Sequence, residues 1–287
     1  MERMSTHDDA RPVARVVPAR EVMEGAGVRV RRTIALPGLD HLDPFLLLDA
    51  FESDDPEDHV RGFPSHPHRG IETVTYMLEG RVRHADSMGN QGVIGPGDAQ
   101  WMTAGRGIVH SEMPEQESDR LRGFQLWVNL PAAEKMCAPR YQDIGARDIP
   151  EVVTDGLRVR VLAGEHGGGR GPVRGIAVEP LYLDVSLEAG RTFSLPVARG
   201  HEAFAYVFEG SAAIGGHRVG RHVLAVLGEG ERIEVAAGEG PVRLLLVAAR
   251  PLGEPVVRWG PFVMNTEEEI ARAIEDYSRG TLASSPG

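Results

Sequence analysis

Gly62-Phe-Pro-Ser-His66-Pro-His68-Arg-Gly-Ile-Glu72-Thr-Val-Thr-Tyr-Met-Leu-Glu79-Gly80 is the stretch on which the fold turns. It sets two histidines at i and i+2, a carboxylate four residues beyond the second, and then an apolar run that stops at a glycine. Side chains alternate faces along an extended strand, so residues two apart point the same way. A single unbroken strand would therefore put His66, His68, Glu72, Val74, Tyr76 and Leu78 on one face. Two imidazoles fixed side by side on a stiff strand suit a divalent transition metal.

On either side of this stretch, short alternating or apolar runs recur between glycine and proline turns. Val28 to Ile34 alternates and reads as a strand, and Asp43-Pro-Phe-Leu-Leu-Leu-Asp49 reads as a fully buried one. Arg81 to Ser87, Ala99 to Ala104 and Leu121 to Leu130 continue the series, with turns at Met88 to Gly92 and Gly95 to Asp98. Strands spaced in this way indicate an antiparallel sandwich or barrel. Then Glu202-Ala-Phe-Ala-Tyr-Val-Phe-Glu-Gly210 aligns without a gap on Glu72 to Gly80, at an offset of 130 residues. Such a repeat predicts two similar β domains in tandem. Pro196 and Ala198 stand where the first copy has His66 and His68, so the second copy lacks the metal histidines.

The pattern predicts a disordered tail over 1–12, an N-terminal metal-binding domain over 13–162 and a C-terminal domain over 176–264. The glycine-rich 163–175 is a loop or inter-domain crossing. A helix is predicted over 265–280, with Thr266 and Glu269 as a capping box and Gly280 as its stop. Ile270, Ala273, Ile274 and Tyr277 form its apolar stripe.

Composition narrows the function. A formal net charge of -11 argues against a broad phosphate-binding surface, so no direct contact with nucleic acid is expected. The single cysteine, Cys137, excludes an intramolecular disulfide and a cysteine-based zinc cage. No run approaches membrane-spanning length and the first twenty residues lack the apolar core of a signal peptide, so the chain reads as soluble and cytoplasmic, with no membrane partner.

About forty residues after the first motif comes Thr103-Ala-Gly-Arg-Gly-Ile-Val-His110-Ser-Glu112. His110 and Glu112 share strand parity, and Gly105 and Gly107 permit the positive-φ backbone that would turn them toward the same cavity. Three imidazoles and a carboxylate make a mixed set suited to Fe2+, with Mn, Ni, Cu or Zn also compatible, and leave open positions on an octahedral ion. His84 is read as exposed or hydrogen-bonded rather than ligating, and Trp101 and Trp127 as core or cavity wall.

Pairing His-x-His with a distal histidine on a glycine-punctuated β pattern resembles the cupin superfamily. The longer strings resemble the pirin family: Asp43 to Asp49, His66 to Gly80, Gln100-Trp-Met-Thr-Ala-Gly-Arg-Gly-Ile-Val-His-Ser-Glu112 and Gly260-Pro-Phe-Val-Met-Asn-Thr266. The resemblance runs from about Arg29 to Gly280, with Ile71 where the family usually has Phe. It implies an all-β fold of two tandem cupin (jelly-roll type) β-barrels with a C-terminal α-helix. It also implies iron in the N-terminal barrel, held by His66, His68, His110 and Glu112. Typical cupins use the carboxylate of the first motif, here Glu72, as ligand. Glu202 occupies the matching place in the half without metal histidines, which favours Glu112 as ligand and leaves Glu72 structural or behind a ligating histidine.

The resemblance further implies a quercetin 2,3-dioxygenase-like activity on a small planar aromatic flavonol or enol with O2, Glu112 serving as the catalytic base. The alternative it implies is a non-enzymatic, iron- and redox-dependent regulator that binds a transcription factor or a metabolic enzyme.

Overall fold

The computed structural model describes residues 10–55, 57, 60–115 and 120–283, arranged as two compact units. One comprises residues 20–148 and 252–287, the other residues 1–19 and 149–251. Each contains a seven-stranded and a four-stranded sheet, and every strand pairing in them is antiparallel. In the first unit the seven-stranded order is Arg140–Ile144, Ala99–Thr103, Ile71–Glu79, Leu121–Asn129, Phe45–Ser53, Val28–Ile34, Arg20–Glu24. Its four-stranded sheet runs Phe63–His68, Ile108–Pro114, Val82–Asp86, Gln91–Ile94. Both sheets recur in the second unit, where Glu202–Glu209 lies between Val223–Leu227 and Val242–Ala249 as Ile71–Glu79 lies between Ala99–Thr103 and Leu121–Asn129. Two tandem cupin domains and one C-terminal helix are therefore the architecture, as the repeat and the resemblance predict. The shared Glu-Gly ending has a common cause: Gly80 (φ 80°) and Gly210 (φ 72°) both adopt a left-handed backbone, and a Cβ on either would strike the carbonyl of the residue that precedes the neighbouring strand, Arg120 or Pro241.

The boundaries differ from those expected. Residues 1–9 lie outside the described residues, but Ala10 bridges to Arg232, and buried Arg11 donates to the carbonyls of His201 (2.7 Å) and Ala198 (2.9 Å). Val13–Pro18 then pairs with Val223–Leu227, so residues 10–18 belong to the second unit rather than to a tail and the first domain. Leu157–Ala163 likewise pairs with Leu181–Leu187 and buries Val159 and Val161 in the second unit's apolar core, which moves the crossing from 163–175 to residue 148. In 163–175 there is a short hairpin, Glu165–His166 with Gly169–Arg170. Conversely, residues 252–283 return to the first unit. Their helix, Glu267–Ser278, carries the expected capping box, with Thr266 accepting from Glu269 N and Glu269 from Thr266 N. Its Ile270 and Ala273 pack with Phe262, Met264 and Leu282.

The opening stretch is two strands rather than one. Phe63–His68 belongs to the four-stranded sheet and Ile71–Glu79 to the seven-stranded sheet. Between them Gly70 takes φ 78°, where a Cβ would collide with the Val263 carbonyl. The side-chain alternation is reset at this turn. Thr75 faces the histidine side and donates to Glu112, whereas Tyr76 stacks on Phe124 and Glu72 accepts from Thr103 Oγ1 at 2.7 Å. Burial pushes the Glu72 carboxyl up to about 7, against the pull of Thr103, Trp101 and Arg140.

Lys135 holds the turn in place. Its buried ammonium donates to Gly70 O (2.9 Å), Val263 O (2.9 Å) and Asn129 Oδ1 (2.7 Å), while burial lowers its pKa to about 8. Arg69 adds an ion pair to Asp276 of the helix at 2.8 Å, and its carbonyl accepts from Val263 N at 3.1 Å.

Lys135→Met strips the three acceptors of their donor, and we expect a loss of about 3 kcal/mol in urea denaturation. Glu72 yields a pH-dependent expectation. Its folded pKa lies above the ordinary value, so between roughly pH 4.5 and 7 the folded state holds a proton that the unfolded state has released, and stability falls as pH rises through that window. Glu72→Gln removes this slope: thermal melts should show stabilisation on the order of 2 kcal/mol at pH 8 and little at pH 4.

Candidate metal centre

The Phe63–His68 strand pairs with Ile108–Pro114 so that His66 stands opposite His110 and His68 opposite Ile108. Gly105 (φ 51°) and Gly107 (φ 144°) make the tight turn leading into the second strand, in the positive-φ conformation that their sequence pattern anticipates. The result brings His66, His68 and His110 together, with one ring nitrogen from each within 4.8 Å of the others. The ring centroids are 4.5–5.1 Å apart.

The chemistry of these rings fits a cation. His66 Nδ1 lies 2.8 Å from the Pro64 carbonyl, which selects the Nδ1–H tautomer and leaves Nε2 with a free lone pair. His68 Nδ1 and both ring nitrogens of His110 are buried without a hydrogen-bond partner. An unpaired buried polar atom is costly, and lone pairs converging from three imidazoles are what a divalent transition metal satisfies. Burial, with the neighbouring imidazoles, pushes the His68 pKa well down, and burial brings His110 to about 4 despite the carboxylate of Glu112. Both rings are thus neutral near pH 7, the state in which imidazole is a ligand.

Glu112 stands beside this cluster without joining it. Its carboxylate is buried and accepts from Thr75 Oγ1 (3.0 Å) and Gln125 Nε2 (2.8 Å). Burial alone would raise its pKa, but His110, His66 and these two donors outweigh that effect and hold it below the usual carboxylate range. Glu72 is placed elsewhere: its hydrogen bond goes to Thr103, and none goes to a histidine of the cluster. His84 is buried and hydrogen-bonded, with Gln100 Nε2 2.9 Å from its Nε2, and its ring stacks on Tyr141.

A cleft of about 530 Å³ opens on the cluster, lined by His66, His68, Phe63, Gln125, Trp127 and Arg258 among others. Trp127 meets His68 edge-on at 5.0 Å, and its indole N–H points to Gln125 Oε1 at 3.4 Å. That contact orients the amide so that its NH2 faces Glu112. Sequence reasoning missed Thr75, Gln125 and Arg258. For the first two a signal existed, since each is a polar residue in the middle of a strongly buried strand. For Arg258 there was none, because its place depends on the return of the C-terminal segment.

In the second unit Pro196 stands opposite Arg232, the pairing that corresponds to His66 opposite His110. The interior there is a continuous apolar cluster including Phe193, Leu195, Ile233 and Val235. That barrel has no donor set of the first unit's kind at the equivalent positions.

The profile of the pirin family matches residues 27–128, and that of the pirin C-terminal cupin domain matches residues 182–283. A pirin-like protein of Caulobacter vibrioides is 50% identical over 94% of this chain and 98% of its own. Pirin of Homo sapiens is 47% identical over 91% and 90% respectively. A crystal structure of quercetin 2,3-dioxygenase from Acinetobacter baumannii superposes with a TM-score of 0.89 at 35% identity, covering 96% of this chain and 99% of that one. With both domain profiles matched in order and relatives near half identity along almost the whole length, the chain belongs to the pirin family.

Proposed function

We propose that this protein is a metal-dependent dioxygenase that acts on flavonol or enol substrates such as quercetin, with iron as the resident metal. The observation that carries the reading is the convergence of three imidazoles, two of them with unpaired buried nitrogens, at a cleft large enough for a planar aromatic molecule. The likeness to a quercetin 2,3-dioxygenase over nearly the full chain supports the substrate class. Among the described residues no helix is long and apolar enough to cross a membrane.

In this reading His66, His68 and His110 hold the metal, and Glu112 is the fourth donor or the base beside it. Bound there, the metal would supply Lewis-acid polarisation of a substrate hydroxyl and exchange electrons with dioxygen. The protein does the rest. Thr75 and Gln125 keep the Glu112 carboxylate ionised and oriented, so that it can accept the hydroxyl proton of the substrate. Trp127 and Phe63 form apolar wall at the cleft against which a planar ring can lie.

Purified protein loaded with Fe2+ should bleach quercetin in air and stop under argon. His110→Ala should lose metal affinity and turnover together, on the order of 10–100-fold or more. The check is metal content by mass spectrometry beside quercetin absorbance on the same samples. Wild-type protein with iron present and no oxygen-dependent turnover, or a mutant that keeps both metal and activity, overturns the proposal.

A further inference from the structure

One of the two arginines that line the cleft touches no carboxylate of the described residues. Arg32 and Arg258 both line it. Arg32 is fully engaged, bidentate to Asp49 at 2.8 and 2.6 Å and paired with Glu24 at 2.7 Å. Asp49 and Glu24 are thereby committed to Arg32. Arg258 is different. Its Nε donates to Gly260 O at 3.3 Å and its Nη1 to Leu46 O at 3.2 Å, both neutral carbonyls. No carboxylate oxygen of the described residues lies within ion-pair distance of it; Asp40, Glu24 and Asp49 act on it only from farther off. Half-buried and always protonated, it retains donors with no acid to meet them.

Its position is fixed by packing. The guanidinium lies over the Trp127 indole at 4.9 Å, and that same indole meets His68 at 5.0 Å. The hairpin Val257–Trp259 with Phe262–Met264 carries Arg258, and Phe262 and Met264 anchor the hairpin in the cluster with the C-terminal helix. One aromatic ring therefore separates a fixed positive charge from the histidine cluster. A planar ligand with an oxygen at the histidines and an anionic group at its far end would satisfy both ends at once. Arginine meets a carboxylate through two parallel N–H bonds in a fixed fork, so a carboxylate is the anion this geometry suits best.

We propose that Arg258 is the specificity-determining residue of the cleft and that it selects a planar hydroxy-aromatic or enolic carboxylate over an uncharged analogue. The inference rests on this cleft being the substrate site, as in the function proposed above, and within that flavonol-or-enol range it favours enolic carboxylates over quercetin, which carries no carboxylate for Arg258 to meet. Trp127 serves as the platform beneath the ligand's charged end.

The test uses full-length, metal-stripped protein, so that Arg258 and not a metal is the charge being read. Its probes are 6-hydroxy-2-naphthoate and its neutral counterpart 6-hydroxy-2-naphthamide, titrated by calorimetry. Wild type should prefer the carboxylate by on the order of tenfold to a hundredfold, less at high salt. Arg258→Gln should erase the preference, and Arg258→Lys should retain part of it, with circular dichroism confirming that each variant is folded. No binding of the carboxylate to wild type, equal binding of the two probes, or a preference that survives Arg258→Gln overturns the inference. Quercetin turnover by the iron-loaded protein is a separate readout: its absence while the Arg258-dependent preference persists defeats the dioxygenase reading alone, and its presence without that preference defeats the charge assignment alone.

Discussion

Between His68 and Ile71 the backbone must leave one sheet and enter another within two residues, and the rest of the centre depends on that turn. Gly70 makes it possible by adopting a positive φ against the Val263 carbonyl, where no larger residue fits. Lys135 makes it rigid, because a buried ammonium with three acceptors ties the turn to Asn129 and to the returning C-terminal strand. Two consequences follow from this single constraint. The histidines are presented on the short sheet, opposite His110, and the parity of the following strand is reset so that Thr75 instead of Glu72 reaches the carboxylate beside them.

The electrostatics of the centre run in opposite directions on adjacent groups. Burial disfavours charge on His68 and His110, which keeps their lone pairs available. The same burial would neutralise Glu112, but two hydrogen bonds and the adjacent imidazoles keep it ionised. Neutral imidazoles beside a retained anion form a donor set that suits a divalent cation. Glu72 shows the contrast: equally buried but with a single hydroxyl bonded to it, its carboxyl is pushed up to about 7.

The two barrels show how one scaffold can carry or omit a site. Strand order and the Glu-Gly endings are shared, so the scaffold does not need the histidine cluster. In the second barrel the position of His110 is held by Arg232, that of His66 by Pro196, and the interior is closed by aliphatic packing. The first barrel keeps polar residues inside and opens a cleft on them. A buried polar centre of this kind is held by its surroundings, and residues 252–283 return to brace it.

Much of this was written locally in the chain. Alternation gave the strand Val28–Ile34, the capping box gave the helix, the repeat at 202–210 gave two barrels, and the His-x-His and distal His-x-Glu motifs named all three histidines of the cluster. Each of these is a short-range property, set by side-chain period, turn chemistry or residue type. What required the tertiary structure was everything that depends on which distant segments meet. Parity across Gly70 could not be read, because a one-residue break in a strand flips every following side chain. Segment exchange, which sends residues 10–18 into the second unit and 252–283 into the first, leaves no local mark, since an edge strand looks the same whichever sheet it completes. For the same reason Arg258, more than one hundred and forty residues from the nearest histidine of the cluster in sequence, was silent as a site residue until the fold set it over Trp127.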